Sequence, residues 1–516
     1  MSQDWTEQPA NGIPGKTWFF LGAICLIYLA HAFYYWEWVE DDAFISMRYA
    51  QNFVNGSGLV FNPGEQVEGY SNLAWVLYAG LAIKLNLAPL LILRITAVLA
   101  GLSALVLSWK AARILLPQAG MSALAAPLFL ALNPLLPRHS TTGLETVPFA
   151  ALIIAGFVAS TKKPTATNGI LFLLLLVLIT TMRPEGVAFA LLLLFWRHLG
   201  SRMGKGSSQM PSFALMWGEF SAVLVVMASL FLWKWSYYGN PLPNTYYAKM
   251  TGEGRAFVEG FNYSLDFLRE NGGAILVGLY LANLLNKKLS RAFLFCTVIV
   301  AVQIGIVIAA GGDWMHFYRF FVPVMPLLAA GCAAGLGIIL LLTRQAAGGH
   351  NLLRKWPLAL VLAGTMVAGY VNVYKVERAT GREVMPYVKN GSYLTDGYRL
   401  TAQWIVDNTP SEASVAICDI GLVGFHTGRH IVDMFGLVDP HISRLAGRQH
   451  FKSDPEYVLG KHPDVVVLVS SGTGEFLRIP DEEMFANPDF REKYTLAQTI
   501  PIQFRNETIR IYRSIP

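Results

Sequence analysis

Apolar runs separated by short polar segments fill residues 17–374. Their lengths approach the roughly 20 residues that an α-helix needs to cross a bilayer. About eleven spans are expected: 17–36, 89–109, 119–136, 146 to Lys162, 168–182, one ending at Arg197, 217–236, one ending before Lys287, 291–310, one ending at Arg344, and 356–374. The first run is too long for a signal-peptide core, follows Asp4 and Glu7, and lacks a small-residue cleavage site, so it reads as an uncleaved helix. A long polar stretch, 37–72, follows it. Segment 73–87 is apolar but short and carries Lys84, which fits a helix lying in the membrane interface with the lysine snorkelling outward. Beyond about residue 375 the pattern changes. Short β-branched runs, Ser414–Cys418, Asp464–Ser470 and Ile509–Tyr512, are separated by helical periodicity such as Tyr398–Asp407. That alternation predicts a small α/β domain. The expected fold is therefore a polytopic α-helical membrane domain, 1–374, followed by an α/β domain, 375–516.

Composition agrees with this pattern. Only 14% of residues are charged and 54% are hydrophobic, whereas soluble proteins carry about 25% charged residues. The formal charge of +6 comes from basic clusters that close every second helix: Lys110 and Arg113, Lys162 and Lys163, Arg197 to Lys205, Lys287 and Lys288, and Arg344 to Lys355. By the positive-inside rule the N-terminus is cytoplasmic and the C-terminal domain lies outside. No basic stripe or RNA-binding motif is present, so nucleic acid is not an expected partner. The four cysteines show no CxxC or Cys/His spacing, which argues against disulfides and structural zinc. His426, His430 and His441 are too irregularly spaced for a metal site.

Candidate chemistry concentrates in the expected outer loops. Glu40, Asp41 and Asp42 place three consecutive carboxylates at a membrane surface, where they are costly to desolvate and repel one another. One of them should have a raised pKa or a cation partner. Such a carboxylate can serve as general base toward a hydroxyl, or Asp41 and Asp42 can bind a divalent cation such as Mg, Mn or Ca. A solvated acidic helix start would explain the same residues without function. Five cations, Arg48, Arg138, Arg183, Lys249 and Arg319, also fall on the outer side, against the positive-inside rule. They suit a lipid-linked phosphate. Snorkelling to headgroups would explain one or two of them better than five. Polar neighbours in these loops, Glu68, Asn72, His139, Glu145, Glu185, Asn244 and Asp313, are candidates for orienting the cations or touching sugar hydroxyls. Tyr70, Tyr238 and Trp314 could stack on sugars or belong to an interfacial aromatic belt.

These motifs resemble the GT-C superfamily of membrane glycosyltransferases, whose hallmark is an acidic motif in the first outer loop. More narrowly, Asp41 to Ala50, Gly58 to Glu65, Val67 to Asn72, Thr142 to Glu145, Arg183 to Gly186, the Tyr237–Lys249 loop, Gly312 to Arg319 and Gly436 to Asp439 are similar to the terminal β-(1→2) arabinofuranosyltransferase group of the mycobacterial cell wall. The resemblance implies a polyprenyl-phosphate arabinofuranose donor, an acceptor glycan or glycoprotein, and a site in the bacterial cytoplasmic (inner) membrane facing outward. Asp41 is then the first choice for catalytic base and Asp42 the second. Arg183, Lys249 and Arg319 would hold the phosphate, helped by Arg48 and Arg138, and the outer domain would assist acceptor binding. A transporter or flippase of lipid-linked sugars is the alternative. Such proteins place polar groups near the bilayer midplane between repeated halves, whereas here the charges crowd one surface and no repeat is evident. A third reading is a membrane-anchored binding module whose tail domain acts alone.

Overall fold

The computed structural model describes residues 15–162, 166–202, 213–249, 255–286, 289–313, 315, 317–346, 393–447, 451–502 and 506–515. The expected span 356–374 and the junction between the two parts of the chain lie outside the described residues. Every other expected run forms helix, and five helices are long and apolar enough to cross a membrane: Gly15–Tyr34, Pro89–Leu115, Met216–Tyr238, Arg291–Ala309 and Arg319–Thr343. Shorter apolar helices, Pro117–Leu132, Thr146–Ser160, Asn168–Met182, Gly186–His198 and Gly273–Leu285, complete the bundle. The run 119–136 is not one straight helix, because Gly120 adopts φ 55° and kinks it. Large apolar side chains such as Phe19, Phe33, Leu171 and Val225 are exposed on these helices. In water so much apolar surface would drive aggregation; against lipid it is the stable arrangement. The chain is a polytopic helical membrane protein with a C-terminal sheet domain. The apolar segment after the polar loop forms helix Leu73–Lys84. At 1.5 Å per residue it is about 18 Å long, too short for a hydrocarbon core of roughly 30 Å.

The C-terminal domain is built on five strands, β1 (Ser414–Ile417), β2 (His430–Asp433), β3 (Val465–Ser471), β4 (Tyr494–Ile502) and β5 (Glu507–Ser514). Their order is β2-β1-β3-β5-β4. The first three are mutually parallel, and β5 and β4 join antiparallel. β3 is buried on both faces, which is why it reads as an unbroken apolar run, VVVLVSS. Val415, Ile417, Val465 and Val467 point to the face whose core is continuous with the membrane bundle. Ala416, Cys418, Val466 and Leu468 point to a second core beneath Met484 and Phe490.

This domain is pinned to one end of the bundle by polar contacts made almost wholly to backbone. The Asp41 carboxylate accepts from the Gly421 and Leu422 amides, each at 2.8 Å. Arg48 donates to the carbonyls of Phe61 at 3.2 Å and Gly428 at 3.1 Å. Asn62 exchanges two hydrogen bonds with the Ile431 backbone. The Asn244 amide donates to the Gly436, Leu437 and Asp439 carbonyls. Gly421 is required at its position, since a Cβ there would collide with the Asp41 carbonyl and carboxylate. Gly421→Ala is therefore expected to loosen this docking by about 2 kcal/mol, seen as a lower thermal midpoint and faster proteolysis of the domain in detergent. An unchanged midpoint would remove Asp41–Gly421 from the docking contacts.

Candidate active site

Asp41 and Asp42 open the helix Asp41–Val54, so both carboxylates sit at its positive end. Neighbouring residues on a helix are about 100° apart, and these two face different surroundings. Asp41 turns to the C-terminal domain and caps the helix Gly421–Thr427 with both oxygens. Burial and the nearby Asp419 carboxylate push its carboxyl above the ordinary range, with the two amide donors opposing. Asp42 turns instead into a cavity of ≈ 590 Å³ lined by Ser46, Tyr70, Ser71, Asn72, Glu145, Arg183, Thr245, Lys249, Arg319 and Leu437. Its side chain is 29% exposed, and one oxygen lies 3.8 Å from Arg319. Burial raises its pKa above the ordinary value, while Arg319 and Lys249 pull it down.

The cations are fixed by different means. Arg183 donates to Glu185 at 2.5 Å and to Glu145 at 2.6 Å. The other Glu145 oxygen accepts from Asn72 at 2.7 Å. Burial pushes the Glu145 carboxyl up, but Arg183 and Asn72 outweigh it and hold the group below its usual value. Arg319 is paired with Asp313 at 2.8 Å. Lys249 ends the short helix Asn244–Lys249. Among the described residues no carboxylate comes within ion-pair distance of its ammonium. Burial and the neighbouring Arg319 lower its pKa, with Asp42 and Asp313 working the other way. The cavity thus holds one carboxylate and one ammonium free to act on a ligand, flanked by two arginines held in position.

The remaining candidates serve the surroundings. Arg48 is occupied by carbonyl groups of two segments. Arg138 is sandwiched between the Trp38 and Phe317 rings at 4.0 and 3.4 Å. Neither lines the cavity. His139 bonds the Phe317 carbonyl at 2.9 Å, and burial together with Arg138 depresses its pKa to about 3, so it is neutral. Glu40 accepts from the Trp38 indole at 2.8 Å. Glu68 pairs with Lys234, a cation not singled out in the sequence. Tyr238 bonds the Leu59 carbonyl and the Tyr70 hydroxyl, and Asn244 holds the docked domain. Trp314 lies outside the described residues. Ser46, Ser71, Thr245 and Leu437 were missed; nothing in a lone Ser, Thr or Leu marks it as facing a cavity.

The residues do not fit a divalent cation. Both Asp41 oxygens are taken by backbone donors, which leaves Asp42 alone, and Arg319 and Lys249 would repel a metal beside it. Among the described residues no cluster of three or more metal-ligating side chains occurs.

A helical bundle with an acidic helix at one end and a domain seated over it is the fold of the GT-C membrane glycosyltransferases, and the chain shares it. It is similar to ArnT from Cupriavidus metallidurans bound to undecaprenyl phosphate, with TM-score 0.54 and 15% identity over 97% of this chain and 98% of that one. The oligosaccharyltransferase of Archaeoglobus fulgidus aligns with TM-score 0.53 and 11% identity, over 90% of this chain and 74% of the other. The mycobacterial arabinofuranosyltransferase AftD aligns with TM-score 0.51 and 13% identity, over 96% of this chain but 40% of its own length. Residues 391–512 match a family described as a domain of unknown function, DUF8728. No curated protein matches the sequence.

The Arg183 pairing carries its own prediction. Glu145→Gln leaves a buried guanidinium with one carboxylate fewer and is expected to cost roughly 3 kcal/mol. Asn72→Ala should cost about 1 kcal/mol. Thermal unfolding in detergent measures both, and equal losses would contradict the dominance of the ion pair.

Proposed function

We propose that the protein is a glycosyltransferase that moves a sugar, arabinofuranose in the first instance, from a polyprenyl phosphate to a hydroxyl of an acceptor glycan or glycoprotein at the outer face of the bacterial cytoplasmic membrane. The observation that carries this reading is Asp42, partly exposed in a cavity beside Arg319 and the unpaired Lys249. A GT-C fold and the undecaprenyl phosphate bound by the ArnT neighbour support the donor class.

In this reading Asp42 takes the proton of the acceptor hydroxyl as its oxygen bonds to the anomeric carbon of the sugar. The bond from that carbon to the phosphate oxygen breaks, and the polyprenyl phosphate leaves with the electron pair. Lys249 and Arg319 receive the charge that develops on that oxygen, and Arg183 extends the positive wall. Two arginines already held by carboxylates need no reorganisation when the phosphate arrives. Asp41, first in line from the sequence, becomes the residue that positions the acidic helix against the outer domain.

The test is transfer of radiolabelled arabinofuranose from synthetic polyprenyl phosphate to a host envelope extract. Asp42→Asn should lower transfer at least about a hundredfold, while Asp41→Asn should retain measurable transfer with reduced stability. Full activity in Asp42→Asn would sink the assignment. Movement of the lipid across sealed vesicles without a new glycosidic bond would favour a flippase instead.

The pH profile follows from the same geometry. The base must be ionised, so activity should rise with pH on an acidic limb lying above the ordinary carboxylate value near 4. Lys249→Met removes a cation that stabilises the ionised form, so that limb should move to higher pH. A shift to lower pH in initial-rate measurements would place the titrating group elsewhere.

A further inference from the structure

The C-terminal domain contains a cleft of ≈ 730 Å³, larger than the cavity at Asp42. Its position follows from the sheet. From β1 the chain passes to β2 on one side and then returns to β3 on the other. At such a reversal the loops leaving the carboxyl ends of parallel strands diverge and open a crevice, the usual ligand position in sheets of this kind. The lining residues come from those loops: Asp419 after β1, Phe435 after β2, and Phe476 to Glu482 after β3. Phe451 and Leu477 form a rim that is 58% and 51% exposed.

The lining selects among ligand chemistries. Asp419 accepts from Tyr398 at 2.6 Å and pairs with Arg478 through the same oxygen. The guanidinium charge is thereby neutralised, and Glu482 adds another carboxylate. A phosphate or other anion has no free cation to meet. The remaining capacity is for hydroxyl groups: the second Asp419 oxygen, the Arg478 Nε and Glu482. Phe435, Phe451 and Phe476 add flat apolar faces. Carboxylate and guanidinium beside aromatic faces match a neutral, polyhydroxylated ring compound, which presents hydroxyls at its edge and C–H groups on its face.

The cleft also adjoins the catalytic cavity. Phe435 lines the cleft and Leu437 the cavity. Asp419 lines the cleft, and two residues later the Gly421 amide holds Asp41. Two residues of chain span at most about 7 Å, so two short backbone segments form a shared wall. We propose that this cleft is an acceptor subsite, binding a neutral oligosaccharide whose end reaches Asp42; the proposal rests on the glycosyltransferase reading for its purpose, though not for its existence.

The experiment uses the full chain in lipid nanodiscs. Neutral arabino-, manno- and galacto-oligosaccharides of four to six units are titrated by saturation-transfer NMR, and undecaprenyl phosphate is titrated separately. At least one oligosaccharide series should bind. Phe451→Ala and Leu477→Ser, exposed enough to leave folding intact, should weaken it by about tenfold and leave undecaprenyl phosphate affinity unchanged. Phe476→Ala should do the same from deeper in the cleft. Absence of binding by every oligosaccharide overturns the proposal, as does binding that the rim variants leave untouched. Equal loss of lipid affinity would identify the cleft as a seat for the polyprenyl chain and likewise overturn it. Lys249→Met should abolish undecaprenyl phosphate binding and keep oligosaccharide binding. If lipid binding survives that change, the catalytic reading fails while the subsite stands.

Discussion

The architecture of this site depends on how buried charge is compensated at the edge of a membrane domain. An arginine removed from water costs several kcal/mol unless its donors are matched. Arg183 meets that cost with Glu145 and Glu185, and Arg319 with Asp313. Each carboxylate comes from a loop adjoining the end of a membrane helix, so the pairing also fixes how those helix ends meet. Asn72 extends the network to the polar loop by bonding Glu145. Once these pairs form, Asp42 and Lys249 are left facing the cavity with weaker compensation, and that imbalance gives the site its capacity for chemistry.

The same logic seats the C-terminal domain. Its contacts to the bundle are mostly side chains meeting backbone groups: Asp41 on two amides, Arg48 on carbonyls, and Asn62 and Asn244 on loop backbone. Backbone groups have fixed positions, so such contacts specify orientation more sharply than apolar packing does. They bring the turn after β2 over the cavity. Asp433 holds that turn from below through the Phe435 and Val438 amides. Gly436 takes φ 77° at its apex, and Leu437 reaches the cavity wall. The domain is a structural part of the cavity, since it supplies that wall.

Much of the fold was legible because lipid enforces simple rules. Apolar runs of span length became helices, and three β-branched runs became β1, β3 and β5. β2 was not foreseen because it has only four residues. β4 was missed because it is an edge strand whose middle is exposed and polar. The loops that carry the site were legible too, since cations on the wrong side of a membrane are conspicuous. Individual roles were not. Arg48 and Arg138 resemble Arg183 and Arg319 in sequence, yet their partners are carbonyls some 380 residues away and a pair of aromatic rings. Sequence shows that Asp41 and Asp42 are adjacent but not that a turn of about 100° separates their directions.

That rotation has a further consequence for the acidic motif. Asp41 ties the helix Asp41–Val54 to the first turn of the helix after β1, and Asp42 is fixed by the same backbone. A change at the outer domain that moved Gly421 would turn Asp42 relative to Arg319, whose own position is set by Asp313. The separation of 3.8 Å leaves the pair long of a direct hydrogen bond, so a small rotation would alter both the charge balance at Asp42 and the room between it and Lys249. Two adjacent carboxylates with opposite tasks therefore make the geometry of the cavity depend on a domain joined to it from the far end of the chain.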